Sequence, residues 1–350
     1  MASLFPAEFS TKALVWKANH HFQKQHMKSK NKIILHDHNH DGLDRRGFLE
    51  CMAWAGTGML WSVAGGLLGS AVLPGRAAAD DMGGMMSKSS FSFVQISDSH
   101  IGFSKDANKD VAGTLKEAIA RINALPQPPD FILHTGDLTH LSEAEEFDTL
   151  DQLLKTAKTS QILYVPGEHD VIGDNGKQYL QRFGKGTKGQ GWYSFDHKGV
   201  HFIGLVNVMD IKENGLGIMG DDQLEWLEAD LKDRSSDTPV VLFAHIPLWT
   251  VYEKWGWGTS DGARALGYLK RFGSVTVLNG HIHQIVRKVE GQVTFHTAMS
   301  TAFPQPEAGK APKPGPMKVD AGKLRDYLGM TEVNYTQGKG ALAVVDTTLA

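Results

Sequence analysis

The sequence predicts an α/β fold, a mixed β-sheet with helices packed outside it. Three observations predict it. Apolar runs of strand length recur from residue 91 onward, and the segments between the early runs carry apolar residues at helical spacing. The later runs follow one another directly, as paired strands do. At 350 residues the chain is long enough for one large domain with a substantial core.

Each element has its own signal. Phe93-Val94-Gln95-Ile96 is a strand that leads into Asp98-Ser99-His100. Residues 107–125 place Val111, Leu115, Ile119 and Ile122 on one helical face and stop at Pro126. A strand over 131–135 runs into Gly136-Asp137; a second helix is expected near 142–156. The strand at 161–165 runs into Gly167-Glu168-His169-Asp170, and residues 192–195 and 200–206 form a strand pair about the turn 196–199. Residues 221–231 make a short amphipathic helix, with Asp221 and Asp222 favourable to its dipole. Strand 240–244 delivers His245. An aromatic loop and a helix near 262–271 then lead to strand 275–278, which runs into Gly280-His281-Ile282-His283. Residues 286–289 and 293–296 form a hairpin across Glu290-Gly291. Residues 304–316, rich in Pro, Gly and Lys, form a loop, and a strand at 341–346 closes the domain. There is no internal repeat.

The chain starts with a targeting segment, residues 1–79, joined by a Met- and Ser-rich flexible junction, 80–90, to the domain at 91–350. Asp44-Arg45-Arg46-Gly47-Phe48-Leu49 precedes an uncharged Gly- and Ala-rich apolar run from residue 51 to 73, followed by Arg76 and Ala77-Ala78-Ala79. The pattern is similar to a twin-arginine export signal, with the alanine triplet as its cleavage site. The run is also long enough to be a retained membrane anchor; the triplet placed directly after it favours cleavage. The expectation is an exported, periplasmic bacterial protein that meets the twin-arginine machinery and touches a membrane only if the segment is kept. The long leader carries His20-His21 and His36-Asp37-His38-Asn39-His40, either a loose metal-holding tract or, as favoured here, a solvated leader or over-extended gene start.

The formal charge is −3, but the first 79 residues hold 9 basic and 5 acidic groups, leaving 27 and 34 for the remainder. A domain balance of −7 argues against a nucleic-acid partner. Cys51 is the single cysteine, so the domain forms no internal disulfide.

Five strand-like runs each deliver Asp, Glu or His at one end. A carboxylate at the lip of a buried strand is costly unless a cation meets it, so the five together describe a metal centre, with Asp137 as the candidate shared by two ions. Alternate residues of an extended segment point the same way, which lets Asp98 and His100 grip one ion together. Mixed carboxylate and imidazole donors suit Fe, Mn or Zn better than Mg or Ca.

Asp98-x-His100, Gly136-Asp137, Gly167-Glu168-His169-Asp170, His245 and Gly280-His281-x-His283, in this order, closely resemble the calcineurin-like metallophosphoesterase family, over roughly residues 91–295. The resemblance implies a four-layer α/β/β/α sandwich with mixed sheets. It implies a first metal held by Asp98, His100, Asp137 and His283, and a second held by Asp137, Glu168, His245 and His281. Two such ions activate water for attack on a phosphoric ester. His169 matches the family histidine proposed to protonate the leaving group. Asp170 either orients His169 or caps the following turn.

This chain departs from the family at Glu168, where Asn is usual. The glutamate binds the second metal, displaces it, or impairs catalysis; the first is favoured because an unpaired buried carboxylate is costly. His140 stands where the purple acid phosphatases carry a ligand tyrosine, so a tyrosinate-bound ferric centre is not expected. His134 and His140 either support the ligands or are simply satisfied imidazoles. His197, His201 and His296 fit no motif. Residues 221–227 resemble a helix of the cyclic-nucleotide phosphodiesterase branch, and Trp249, Tyr252, Trp255 and Trp257 either stack on a substrate or pack within their loop. The expected function is metal-dependent hydrolysis of a small phosphoester, a phosphodiester slightly favoured. The alternatives are a phosphomonoesterase of the same mechanism and a non-catalytic binding protein that keeps the fold.

Overall fold

The computed structural model describes residues 90–211, 215–338 and 341–350, together with 60–64 and 67–71. The arginine pair, Cys51, the histidine tracts, the alanine triplet and residues 80–89 of the junction lie outside the described residues. The chain divides into two units, Met1–Asp80 and Asp81–Ala350. In the first, β1 (Leu60–Ala64) and β2 (Leu67–Ala71) pair antiparallel. No helix among the described residues is long and apolar enough to cross a membrane.

In the second unit the residue-level expectation of one mixed sheet is corrected to two, as the family resemblance implied. One contains β3 (Phe91–Ile96), β4 (Phe131–His134), β5 (Ile162–Tyr164), β12 (Gly329–Tyr335) and β13 (Ala343–Thr348), in the order β13-β12-β3-β4-β5. The other contains β6 (Tyr193–His197), β7 (Val200–Gly204), β8 (Val240–Phe243), β9 (Val275–Asn279), β10 (Arg287–Glu290) and β11 (Val293–Thr297), in the order β10-β11-β9-β8-β7-β6. In the first sheet β3-β4-β5 are parallel and β12 joins β3 antiparallel; in the second β7-β8-β9-β11 are parallel, with antiparallel β6 and β10 at the two edges.

Period-2 alternation builds the layers. Phe91 and Phe93 of β3 face Phe202 of β7 and Val241 and Phe243 of β8 between the sheets. Phe93 stacks on Phe131 and meets Phe202 edge-on at 5.5 Å. Val94 and Ile96, on the other face of β3, pack against α1 (Val111–Asn123) and α2 (Ala144–Leu154) through Leu115, Ile119, Phe147 and Leu150. Leu242 and Val277 likewise meet α4 (Asp221–Lys232) and α5 (Gly262–Leu269) through Leu227 and Leu269. The result is an α/β/β/α sandwich. A short helix α3 (Lys177–Phe183), which the sequence reading missed, adds Tyr179 to the first outer core.

One boundary is corrected, and one strand is added, by side-chain chemistry. The first helix begins at Val111 rather than 107, because Asp110 caps it by accepting from the Gly113 amide at 2.8 Å. β12 went unread because Glu332 and Asn334 interrupt its apolar signal; Thr331, Val333 and Tyr335 are nevertheless buried and pair with β3. The three unassigned histidines each meet a carboxylate: His197 with Asp130, His201 with Asp230 and His296 with Asp346.

Asp230 yields a test. Burial pushes its pKa up, but hydrogen bonds from His201 Nε2 (2.6 Å) and Ser194 Oγ (2.7 Å) outweigh burial and hold it below 3.8. The fold therefore favours the ionised form. Its contribution is complete above the ordinary carboxylate pKa and is lost as pH falls through the lowered one. We expect Asp230→Asn to lower the urea midpoint at neutral pH and to flatten its decline below about pH 4. An unchanged acid limb would contradict this.

Candidate metal centre

Parallel pairing brings the candidate ligands to one edge. Ile96 lies opposite His134 in the first sheet and Phe243 opposite Leu278 in the second, so the loops leaving these strands emerge level. The loops then cross-link: Asp98 N donates to Gly136 O (3.0 Å), His100 N to Asp137 O (2.9 Å) and Gly280 N to His245 O (3.0 Å). Asp98, His100, Asp137, His281 and His283 all adopt left-handed backbone, with φ between +41° and +71°. They are five of the eight non-glycine residues that do so among the described residues, so backbone strain is concentrated at this edge. Gly136 also has positive φ, and a Cβ there would fall 2.5 Å from His245 Nδ1. Only glycine lets β4 approach the second sheet this closely.

All seven candidate ligands come together. One donor atom from each of Asp98, His100 and His283 lies within 4.8 Å of the others, and the same holds for Glu168, His245 and His281. Asp137 stands between the groups, with Oδ2 3.4 Å from His100 Nε2 and 3.3 Å from His245 Nε2. Asp137 thus lies within reach of a histidine nitrogen from each group. Glu168 spans the second group, with Oε2 2.9 Å from His245 Nε2 and Oε1 2.9 Å from His281 Nδ1.

The donors fit metal ions. Among the described residues, Glu168 Oε2, His245 Nε2 and His281 Nδ1 are buried atoms without a hydrogen-bond partner, although the carboxylate is this close to both rings. Three buried donor atoms this close together and unbonded are left for a common partner to satisfy. In the first group His100 Nε2 and His283 Nε2 face each other at 3.3 Å, and His283 Nε2 is 3.1 Å from Asp98 Oδ1. Burial opposes the charge on Asp98, but His283 and His245 outweigh it and hold its pKa at about 2. Burial likewise opposes the charge on Glu168, while His281 and His245 hold it well below the usual range. Both carboxylates are poised as anionic donors.

The opposite nitrogens of two rings are fixed by carbonyls. His245 Nδ1 donates to Thr135 O (2.7 Å) and His283 Nδ1 to Phe303 O (2.5 Å), leaving each Nε2 for an ion. Asp98, His100, Asp137, His245 and His283 are buried, whereas the side chains of His281 and Glu168 are 13% and 25% exposed. The centre therefore opens on the Glu168 side, where His169 also sits half-buried.

His169 is not oriented by Asp170. Its Nδ1 donates to the carbonyl of His140 at 2.7 Å, and its ring stacks on the His140 ring at 4.8 Å. Burial lowers the His169 pKa, but Asp137 and Glu168 outweigh burial and raise it. Asp170 instead accepts from Leu138 N, Thr139 N, Thr139 Oγ1 and Gly167 N at 2.8–3.0 Å. It clamps the loop after β4 to the loop after β5 and closes its own turn at Gly167, so neither expected role, orienting His169 or capping the following turn, is the one it takes. Burial and Asp137 push its pKa up to about 7, while the four donors require both its oxygens as acceptors. His134 is a buried ring bonded to Ser99 Oγ (2.6 Å). The aromatic loop packs internally: Trp255 meets Tyr252 and Trp257 edge-on, and Trp249 lies against Phe295.

Sequence reasoning missed the residues after 295 that return to the site. Ser300 Oγ donates to Asp98 O (2.7 Å), Gln305 Nε2 donates to His281 O (2.8 Å), and Phe303 packs against His100. They carry no motif; a buried Ser or Phe in a turn has no signature in one sequence.

A sandwich with this convergent carboxylate and imidazole edge is the architecture of a metal-dependent phosphoester hydrolase. Residues 91–285, more than half of the chain, match the calcineurin-like phosphoesterase family, and the chain belongs to it. The family is dinuclear-metal dependent, and the chain is a metallophosphoesterase. It is similar to the glycerophosphodiester phosphodiesterase GpdQ of Enterobacter lignolyticus, 25% identical over 212 residues that cover 59% of this chain and 74% of that protein. It is also similar to a 3′,5′-cyclic-nucleotide phosphodiesterase of a Nostoc species, 25% identical over 225 residues that cover 63% and 81%. Its fold is similar to that of a dimetal phosphatase from Danio rerio, with TM-score 0.50 and 16% identity over 74% of this chain and 99% of that one.

The Asp170 clamp gives a direct test. Asparagine has one acceptor oxygen and puts N–H against N–H, so Asp170→Asn should cost about 3 kcal/mol in urea unfolding. A loss under about 0.5 kcal/mol, the range of an ordinary surface change, would contradict the clamp.

Proposed function

We propose that the chain hydrolyses a small phosphodiester with two transition-metal ions (Fe, Mn or Zn). The first would be held by Asp98, His100, Asp137 and His283, the second by Asp137, Glu168, His245 and His281. The observation that carries this reading is Asp137, set between two donor groups within 3.4 Å of a histidine nitrogen from each. Two such ions would supply Lewis acidity and lower the pKa of a water that attacks phosphorus.

The chain's own residues supply the rest. Glu168 adds a second anionic donor at the open side, where its two oxygens reach both histidines of the second group. His169 is committed to the His140 carbonyl through Nδ1, leaving Nε2 to hold a proton for the departing oxygen. Its raised pKa supports that role. The diester preference is supported by the two relatives named as phosphodiesterases.

Elemental analysis of purified chain beside a diester and monoester panel tests this. We expect close to two Fe, Mn or Zn per chain and turnover that a chelator abolishes, fastest on diesters. Faster monoester turnover would make the protein a phosphomonoesterase, and one ion with full activity would remove Glu168 from the ligand set. His169→Ala should lower turnover by about 10²–10⁴-fold on diesters with alkoxide leaving groups, and much less with p-nitrophenolate, which leaves unprotonated. Equal losses on both would remove His169 as the acid.

We propose further that residues 1–79 are a cleaved twin-arginine signal, on the strength of Arg45-Arg46-Gly47-Phe48-Leu49, the apolar run and the alanine triplet. Changing both Arg45 and Arg46 to Lys should leave the precursor in the cytoplasm, while the wild type gives a periplasmic chain starting after Ala79. A full-length protein in the membrane fraction would identify an anchor instead.

A further inference from the structure

The stretch matched to the family ends at residue 285, yet the chain returns to the metal centre afterwards, and it meets the first donor group far more than the second. We propose that residues 300–305 form a clamp that sets the occupancy of the first ion position, with Phe303 as its positioning residue. The inference rests on the dinuclear reading above.

The segment folds back over Asp98. Ser300 Oγ donates to the Asp98 carbonyl (2.7 Å) and accepts from the amides of Ala302 (2.8 Å) and Phe303 (3.2 Å). This turn delivers Phe303 to both histidines of the first group. Its carbonyl accepts from His283 Nδ1 at 2.5 Å, which turns His283 Nε2 toward the ion position. Its ring lies against His100 at 4.8 Å between centroids, nearly parallel, and against His283 at 4.9 Å. Phe303 is 3% exposed, so it is wedged in place.

The second group receives far less. Gln305 Nε2 reaches only the main-chain oxygen of His281, while His245 is held by Thr135 of the first sheet. This asymmetry carries the inference. Asp98, His100 and His283 all stand at positive φ, a backbone disfavoured for L side chains that persists only where neighbours over-determine it. Residues 300–305 bond or pack against all three. Loosening the clamp lets the two rings rotate apart and costs the first ion its preformed cradle, while the second keeps its own supports.

The test separates the two ions. Full-length chain, stripped of metal, is titrated with Mn(II) or Zn(II) by calorimetry in two backgrounds: His245→Ala, which cripples the second position, and His100→Ala, which cripples the first. Phe303→Leu, which keeps the main-chain carbonyl but removes the flat ring, should weaken the remaining ion by about 10–100-fold in the first background and leave it unchanged in the second. Ser300→Ala should do the same and carries the test if Phe303→Leu fails to fold. Equal weakening in both backgrounds, accompanied by a lower melting temperature of the stripped chain, would reduce the segment to ordinary packing. No weakening in either would also overturn the clamp. A wild-type chain that takes up fewer than two ions would overturn the dinuclear reading itself, a result distinct from both.

Discussion

Asp137 and the carboxylates beside it, Asp98 and Glu168, impose the constraint on which the rest of this structure depends. Three negative groups are drawn to one lip of a sandwich, two of them at most 2% exposed. Buried like charges repel and are poorly solvated, so such an arrangement persists only with cationic or hydrogen-bonding partners close by. Here the partners are the rings of His100, His245, His281 and His283, whose nitrogens stand 2.9–3.4 Å from carboxylate oxygens. A ring nitrogen beside a carboxylate with no hydrogen bond between them, as at Glu168 and His245, is the geometry of ligands that share a third partner.

The sandwich is what makes the convergence achievable. Neither sheet holds a complete donor set: β3, β4 and β5 lead to the carboxylates and His100, while β8 and β9 lead to His245, His281 and His283. The aromatic interior between the sheets, with Phe91, Phe93, Phe131 and Phe202 in ring contact, fixes one sheet against the other. Burial of large aromatics is therefore coupled to the chemistry, because a shift between sheets would separate Asp137 from His245. Backbone strain at five ligands and the close approach at Gly136 are consequences of the same demand.

The ligands were legible because strand termination is legible. An apolar run that ends at Asp, Glu or His places a chemically costly residue at a predictable spot, and five such runs occur here in the family's order. The two-sheet split was not legible from periodicity, since β3 and β8 are buried on both faces and look alike whichever sheet they join. Adjacency in sequence left Asp170 two local roles, orienting His169 or capping the following turn. In the structure its carboxylate accepts from residues 138, 139 and 167 instead, and the partner of the His169 ring is a backbone carbonyl that no side-chain pattern reveals. Phe303 and Ser300 escaped for a related reason: they act through ring contact and a bond to a main-chain oxygen, and neither depends on spacing from a motif. The leader was legible only as composition and order of charges, and apart from residues 60–64 and 67–71 it lies outside the described residues.

The account stands on two ions bridged by Asp137, and anomalous diffraction from crystals of the purified chain at the edges of Fe, Mn and Zn measures that directly. It predicts two anomalous peaks about 3.5–4 Å apart, one against Asp98, His100 and His283, the other against Glu168, His245 and His281, with the Asp137 carboxylate between them. A single peak, or a pair with Asp137 bound to only one of them, would contradict it.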